Sequence, residues 1–396
     1  MMADTVQRDA TRPTTIAARS PDTIVAIPVR NEAERIGFCL DALDAQEGLA
    51  PGRLGLVLFL NNCTDDTARI VAARVPALSM PVRVIEAEFA GAHAGWARRK
   101  AMDAAAEWLA EAGTILSTDA DSRVPPDWVF ANLRALAVGA DAVAGRVELI
   151  PEEAALLPPS LPARGRLEDA YSALLTEAEA RIDPDPNDPW PCHRTTIGAT
   201  LAVSRDAYLR VGGMPEIALG EDGAFVARLL AHGFRVRHDP AVMVFISARL
   251  TGRAPGGVAD TIRSRCEDPG ALCDARLEPV PRALHRYLWR RRLRRLHASG
   301  RLGTSTAWAH RLGIQSHEAA RIAALPLVGQ VVEEAERASP KLRHAPLSVP
   351  QLPGQIRLAK AVLPLVRAFA SVRDRWKGFA AAATPSPTPS VTRAMP

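Results

Sequence analysis

Thr23-Ile24-Val25-Ala26-Ile27-Pro28-Val29 is an unbroken apolar run, and the residues that follow it, Arg30-Asn31-Glu32, are polar. A strand in a sheet covered on both faces reads this way, because neither side of it meets water. Behind the run, Ile36, Cys39, Leu40 and Leu43 recur at the spacing of a helix with one apolar stripe. The alternation then repeats. Strands are predicted at 54–60, 82–87, 114–118 and 141–149. A helix begins near Thr64, which can cap it, with Asp65 and Asp66 at its positive end. Another spans 94–112, and Pro125-Pro126 opens a third at its first turn. Strands and helices alternating over short links specify an α/β fold, a Rossmann-like, mostly parallel sheet flanked by helices.

Working outward, residues 163–181 have a helical pattern, and 182–192 form a loop rich in Pro and Asp. A strand is predicted at 196–203, helices at 204–212 and 221–232, and a final strand pair over 235–248. From about residue 258 strands give way to helical patterns in which Arg is frequent (Arg290, Arg291, Arg292, Arg294, Arg295). The expected organisation is a flexible segment over 1–21, an α/β domain over 22–257, a basic helical region over 258–379 and a disordered Ala/Thr/Pro/Ser-rich tail over 380–396.

The 396 residues are 47% hydrophobic with a formal charge of +5, enough apolar matter for a large core and too little charge to point to nucleic acid. No apolar run reaches the roughly 18–20 residues that span a bilayer, and the first twenty residues lack the apolar stretch of a secretory signal. Five widely spaced cysteines form neither a disulfide framework nor a zinc pattern, and Cys39 belongs to an apolar helix face. A cytoplasmic location is the default expectation.

Ligands of open parallel sheets bind beyond the carboxyl ends of the strands. There this chain places Arg30-Asn31-Glu32, then Asn61-Asn62-Cys63-Thr64-Asp65-Asp66, then Gly91-Ala92-His93-Ala94-Gly95 with Arg98-Arg99-Lys100, then Asp119-Ala120-Asp121-Ser122. The sharpest is Asp119-Ala120-Asp121. In an extended segment residues i and i+2 point the same way, so two carboxylates on one side make a hard-oxygen site for Mg or Mn. The plainer reading has one Asp capping the helix near Pro125 and the other solvated. Neither a G-x-G-x-x-G nor a G-x-x-x-x-G-K-[ST] pattern is present, which argues against a dinucleotide-binding dehydrogenase and an ATPase-type phosphate loop.

Ile27-Pro28-Val29-Arg30-Asn31-Glu32, Asn62-Cys63-Thr64-Asp65-Asp66-Thr67, Gly95-Trp96-Ala97-Arg98, Asp119-Ala120-Asp121 and Gly220-Glu221-Asp222 together resemble, in order and spacing, the motifs of family 2 glycosyltransferases with the glycosyltransferase A fold. The resemblance covers roughly residues 22–250. It implies that Pro28, Arg30 and Glu32 line a nucleotide pocket, and that Asn61 stands where the family usually has an Asp that holds the base. It further implies that Arg98 lies near the diphosphate and that Asp119, Ala120 and Asp121 form the metal and diphosphate motif. Asp222, beside Glu221, would be the base that deprotonates the acceptor hydroxyl. The implied reaction moves a sugar from a nucleotide-diphosphate donor to a hydroxyl acceptor with a divalent cation. The alternatives are a nucleotidylyltransferase acting on sugar phosphates and a catalytically inactive nucleotide-sugar-binding protein.

A branch of the resembled family carries a His metal ligand after the last strand. Here that region reads Phe245-Ile246-Ser247-Ala248-Arg249, and His238, ten residues before Ala248, is expected to be a surface residue. The Gln-x-x-Arg-Trp motif and membrane helices of processive members are absent, which suits single transfers. Trp190 either stacks on an acceptor sugar or belongs to a rigid connector. Arg249 and Arg253, around Gly252, form a lid over the diphosphate or an ordinary polar loop. The Arg-rich stretch 286–295 either packs on its own domain with a solvated face or makes a peripheral contact with anionic lipid.

Overall fold

The computed structural model describes residues 6–9 and 20–382, with side chains over 20–374. Of the expected lead-in and tail, residues 1–5, 10–19 and 383–396 lie outside the described residues. Strands β1 (Val6–Asp9), β2 (Thr23–Val29), β3 (Leu54–Asn61), β4 (Val82–Glu88), β5 (Thr114–Ser117), β6 (Ala142–Leu149), β7 (Leu201–Ser204) and β8 (Val236–Ile246) form one sheet in the order β1-β4-β3-β2-β5-β7-β6-β8. Neighbours from β4 to β5 are parallel, as are β6 and β8. β7 runs antiparallel between β5 and β6, and β1 runs antiparallel along the edge of β4. The sheet is therefore mostly parallel and flanked by helices, as the alternation requires.

Each strand of the centre feeds two cores. In β2, Ile24 and Ala26 join the cluster under the helices Ala94–Trp108 and Glu221–Ala231, while Val25, Ile27 and Val29 join the opposite one under Ile36–Asp44 and Trp128–Ala137. That is the two-residue period of a strand buried on both faces. The helix Ala94–Trp108 presents Ala97, Ala101, Ala105 and Ala106 to the sheet. These small side chains let it lie close, and at Gly95 an added methyl would stand 2.1 Å from the Ile217 carbonyl oxygen. Cys39 is buried in the second core, and all five cysteines are free.

Three local expectations are corrected. The predicted strand pair over 235–248 is a single strand of 11 residues, β8. Its register against β6 breaks beside Asp239-Pro240, where Ala241 N–H donates to the Asp239 carboxylate at 2.9 Å, and an edge strand tolerates this because Pro has no N–H to offer the ladder. The strand predicted from 196 begins only at Leu201, after a 3₁₀ turn over Gly198–Thr200. The helix expected at Thr64 starts at Thr67, with Asp65 accepting the Thr67 N–H at 3.0 Å, because Thr64 is engaged elsewhere.

Beyond residue 258 the described chain is helical to Ala382, with a single isolated bridge, Leu272 to Ser348. Its helices Val280–Ala298 and Leu352–Ala382 pack against Ser160–Ile182 around Tyr171, Leu175, Tyr287 and Leu363. Along Val280–Ala298 the arginines divide by face. Arg286 donates to Glu278 at 2.8 Å and 3.1 Å, Arg290 reaches Glu179 and Glu336, and Arg294 reaches Asp183. Among the described residues no helix is long and apolar enough to cross a membrane.

Candidate active site

The loops after β2 and β3 are stitched together. Asn31 accepts the Thr64 N–H at 2.7 Å, Glu32 N–H donates to the Thr67 hydroxyl at 2.8 Å, and Ala33 N–H donates to Asp65 at 3.2 Å. Asn31 and Asn62 take left-handed backbone conformations with φ of 54° and 49°, which Asn tolerates better than most residues. The Asn and Asp residues of both motifs thus build the rim. Pro28 lies at the end of β2 opposite Phe59, Arg30 is exposed with no ion pair among the described residues, and Asn61 is buried where β3 ends.

Arg98 is the hub. Buried at 6% exposure, it donates from Nε to Glu221 at 3.1 Å, from Nη1 to the Ser117 hydroxyl at 2.9 Å and to the Gly198 carbonyl at 3.0 Å, and from Nη2 to Asp119 at 2.8 Å. One guanidinium therefore joins the end of β5, the aspartate motif, the 3₁₀ turn and the start of the helix Glu221–Ala231. Gly198 has to be glycine here, since an added methyl would sit 2.3 Å from the guanidinium carbon. The two flanking carboxylates overcome the burial and raise the Arg98 pKa further above its ordinary value.

The two aspartates do not form the expected extended pair. Ser122 N–H closes a turn onto the Asp119 carbonyl at 3.1 Å, with Ala120 and Asp121 inside it. Asp119 leans on Arg98, and Asp121 lies 2.9 Å from Arg249, whose guanidinium also reaches Glu32 at 2.7 Å. Burial, together with the charges of Asp119 and Glu32, raises the Asp121 pKa to about 7 against the opposing pull of Arg249. Two carboxylates that strain against ionising together suit a cation between them. Among the described residues no three His, Cys, Asp or Glu side chains are placed to hold a metal. The donor set fits a hard ion that takes one or two carboxylates from the protein and its other oxygens from phosphate and water.

Glu221 and Asp222 have separate tasks. Glu221 is buried against Arg98. Asp222 is half-buried and accepts N–H donors from Gly198 at 3.0 Å and Gly223 at 2.6 Å. Gly220 precedes both with φ of 76°, a left-handed turn that starts the helix.

The loop after β8 carries Arg249 and Arg253 back over the site. Glu153 anchors it by accepting the Ser247 hydroxyl and Ala248 N–H, each at 2.8 Å. Arg253 donates to the Asn31 carbonyl at 2.9 Å. Sequence reasoning weighed this loop as a lid or a plain connector and missed that Arg249 ties Glu32 to Asp121. It also missed Ser117 and Gly198; a lone Gly in a strand-like pattern was the available signal for a close approach.

His238 is corrected from a surface residue to a buried one, its Nδ1 2.9 Å from Asp188. Asp188 also pairs with Arg237 and Arg194, and Arg237 donates to the carbonyls of Pro189 and Pro191, so the loop around Trp190 is fastened to β8. No hydrogen bond or ring contact among the described residues joins Trp190 to Asp119, Asp121 or Asp222. Beside His238 lies His193, whose buried Nε2 has no partner. Burial, and then the neighbouring His238, push its pKa from 6.5 down to about 4. The unfolded chain therefore binds the proton first. This contribution to stability is complete above pH 6.5 and is lost as pH falls through 4, a loss of about 3 kcal/mol. Urea unfolding across that window should be measurably flatter for His193→Gln than for the wild type, and equal slopes would show that His193 stays charged in the fold.

Residues 24–185 match the family model described as "Glycosyl transferase family 2". No curated protein matches the chain by sequence. Among solved structures, Staphylococcus aureus TarS 1–349 in complex with UDP-GlcNAc is 14% identical, covering 90% of this chain and 92% of that one, with a TM-score of 0.43. The mannosyltransferase PcManGT from Pyrobaculum calidifontis, in complex with GDP-Man and Mn2+, is 18% identical over 91% and 88% of the two chains, with a TM-score of 0.39. Glucosyl-3-phosphoglycerate synthase from Mycobacterium tuberculosis, in complex with Mn2+, UDP and phosphoglyceric acid, is 17% identical over 64% and 82%, with a TM-score of 0.38. The chain spans 36% of a longer TarS structure.

Proposed function

We propose, with residues 24–185 as a family 2 glycosyltransferase domain, that the chain moves a sugar from a nucleotide-diphosphate donor to an acceptor hydroxyl, one transfer per encounter and with a divalent cation. The observation that carries this reading is the Arg98 hub, which holds the Asp119 motif and the Glu221-Asp222 pair in one buried network. Departure of the diphosphate and attack of the acceptor occur at one carbon, and a network that links the proposed groups for both supports this reading.

In this scheme residues 22–257 form the catalytic domain. Pro28, Arg30, Glu32 and Asn61 line the nucleotide pocket at the ends of β2 and β3. Asp119 and Asp121 hold Mg or Mn, which when bound neutralises the charge that grows on the diphosphate as the sugar leaves. Arg98 uses four hydrogen bonds on the protein itself, so it positions Asp119 near the diphosphate and sets the helix that carries Asp222. Asp222, steadied by two backbone N–H groups, takes the proton from the acceptor hydroxyl as it attacks the anomeric carbon. In this reading Arg249 exchanges its bonds to Glu32 and Asp121 for the donor phosphates, which an arginine fork suits. The free thiols of all five cysteines suit a reducing compartment, and we place the enzyme in the cytoplasm.

The test is incubation with a panel of nucleotide sugars, with and without Mn. Metal-dependent release of nucleoside diphosphate is the expected result. Turnover of pyrophosphate would instead identify a nucleotidylyltransferase, and binding without turnover an inactive sugar-nucleotide receptor.

A further inference from the structure

The helix Leu352–Ala382 leaves one face uncovered. Leu358, Leu365, Phe369 and Val372 are 40%, 70%, 50% and 53% exposed, and their spacing puts them on a single stripe. In sequence the same spacing continues through Trp376 and Phe379. The stripe is not isolated. Arg291, from the helix Val280–Ala298, stands 5.4 Å from the centre of the Phe369 ring, which joins the two helices into one surface. Leu288, 50% exposed, lies with Arg292 and Arg295 along the outer side of Val280–Ala298.

Charge decides what this surface meets. Arg286, Arg290 and Arg294 point inward to carboxylates, whereas Arg291, Arg292 and Arg295 have no ion pair among the described residues. Arg291 lies close enough to Arg373 and Arg295 for their repulsion, added to its burial, to lower its pKa. Over residues 352–382 there are six Lys and Arg and one acidic residue, and over 280–298 there are seven Arg and no acidic residue. A second copy related by a two-fold axis would set this cationic surface against itself. Large apolar side chains among unpaired arginines match the boundary of a bilayer, where the rings and leucines enter the acyl region and the guanidinium groups meet headgroup phosphates.

We infer that the face made by Leu288, Leu365, Phe369 and Val372 with Arg291, Arg292 and Arg295 is a peripheral docking surface for a membrane rich in anionic lipid. It is independent of the catalytic reading, since none of these residues belongs to the site.

The full chain is mixed with vesicles of equal parts phosphatidylcholine and phosphatidylglycerol, or of phosphatidylcholine alone, and sedimented. Binding is expected to the mixed vesicles, weakening as salt rises. Arg292→Gln with Arg295→Gln should lower the affinity about five-fold per arginine at low salt. Leu365→Glu with Phe369→Glu should remove most of it, while thermal melting and nucleotide-sugar turnover stay at wild-type values. The inference fails if the wild type ignores the anionic vesicles, binds both compositions equally, or is indifferent to both pairs of substitutions. It also fails if light scattering finds a dimer that Leu365→Glu with Phe369→Glu dissolves and no vesicle is bound, which would give the face to a second copy.

Discussion

Asp121→Ala is expected to lower kcat/KM by about a thousand-fold or more and to erase the thermal shift produced by donor with Mn. An ion polarising a phosphoryl oxygen supplies several kcal/mol in the transition state, and each ~1.4 kcal/mol is a factor of ten. In this site only Asp119 would remain to hold it, and Asp119 already leans on Arg98. The fold should not suffer in step with the activity. Without ligand the partly buried Asp121 carboxylate faces the charges of Asp119 and Glu32, and burial with those charges raises its pKa, so that its ionisation costs the resting protein. Arg249 keeps Glu32 as a partner when Asp121 is gone, at 2.7 Å. The ligand-free variant should therefore melt at or slightly above the wild-type temperature. Wild-type turnover by Asp121→Ala would refute the metal assignment, whereas a large loss of melting temperature would assign Asp121 a structural role instead.

Asp222→Asn should separate binding from chemistry. The amide keeps the size of the carboxylate and one oxygen to accept from Gly198 or Gly223, but it cannot take a proton from a hydroxyl. Removal of a positioned base typically costs 10²–10⁴ in rate, and the expected fall in kcat lies in that range. The Kd for donor should change little, because among the described residues no hydrogen bond or ion pair joins Asp222 to Asp119 or to the β2 and β3 loops. Full activity in the variant would reject Asp222 as the base. Glu221 is not a second candidate for the role: its carboxylate neutralises a buried guanidinium, and a group so engaged is poorly placed to accept a proton from substrate.

What could be read from the residues follows the range of the interactions. The two-residue period of Ile24 to Val29 and the helical period of Ile36 to Leu43 are local, and both survive intact in the fold. The family motifs single out Glu32, Asp119, Asp121 and Asp222 as candidates. What binds them to each other was not legible, because Arg98 meets Glu221 across 123 residues and Arg249 meets Glu32 across 217. The turn at Ala120-Asp121 and the 3₁₀ turn at Gly198 escaped for the same reason. Each is shaped by Arg98, a partner from another element. β1, Val6-Gln7-Arg8-Asp9, has no apolar pattern to announce it, and pairing along a sheet edge needs only backbone groups.

The long helix Ser160–Ile182 faces two ways in the chain's economy. It precedes β7 in the sheet-bearing half, yet its apolar side is closed by segments from after residue 272. A fragment ended at residue 257 would turn Tyr171, Leu175 and Ile182 out to solvent and leave Glu177 with Arg181 but without Arg367, and Glu179 with Arg194 but without Arg290. The C-terminal helices are thus no detachable accessory: any shortened version of this chain that is meant to keep that helix covered has to carry them.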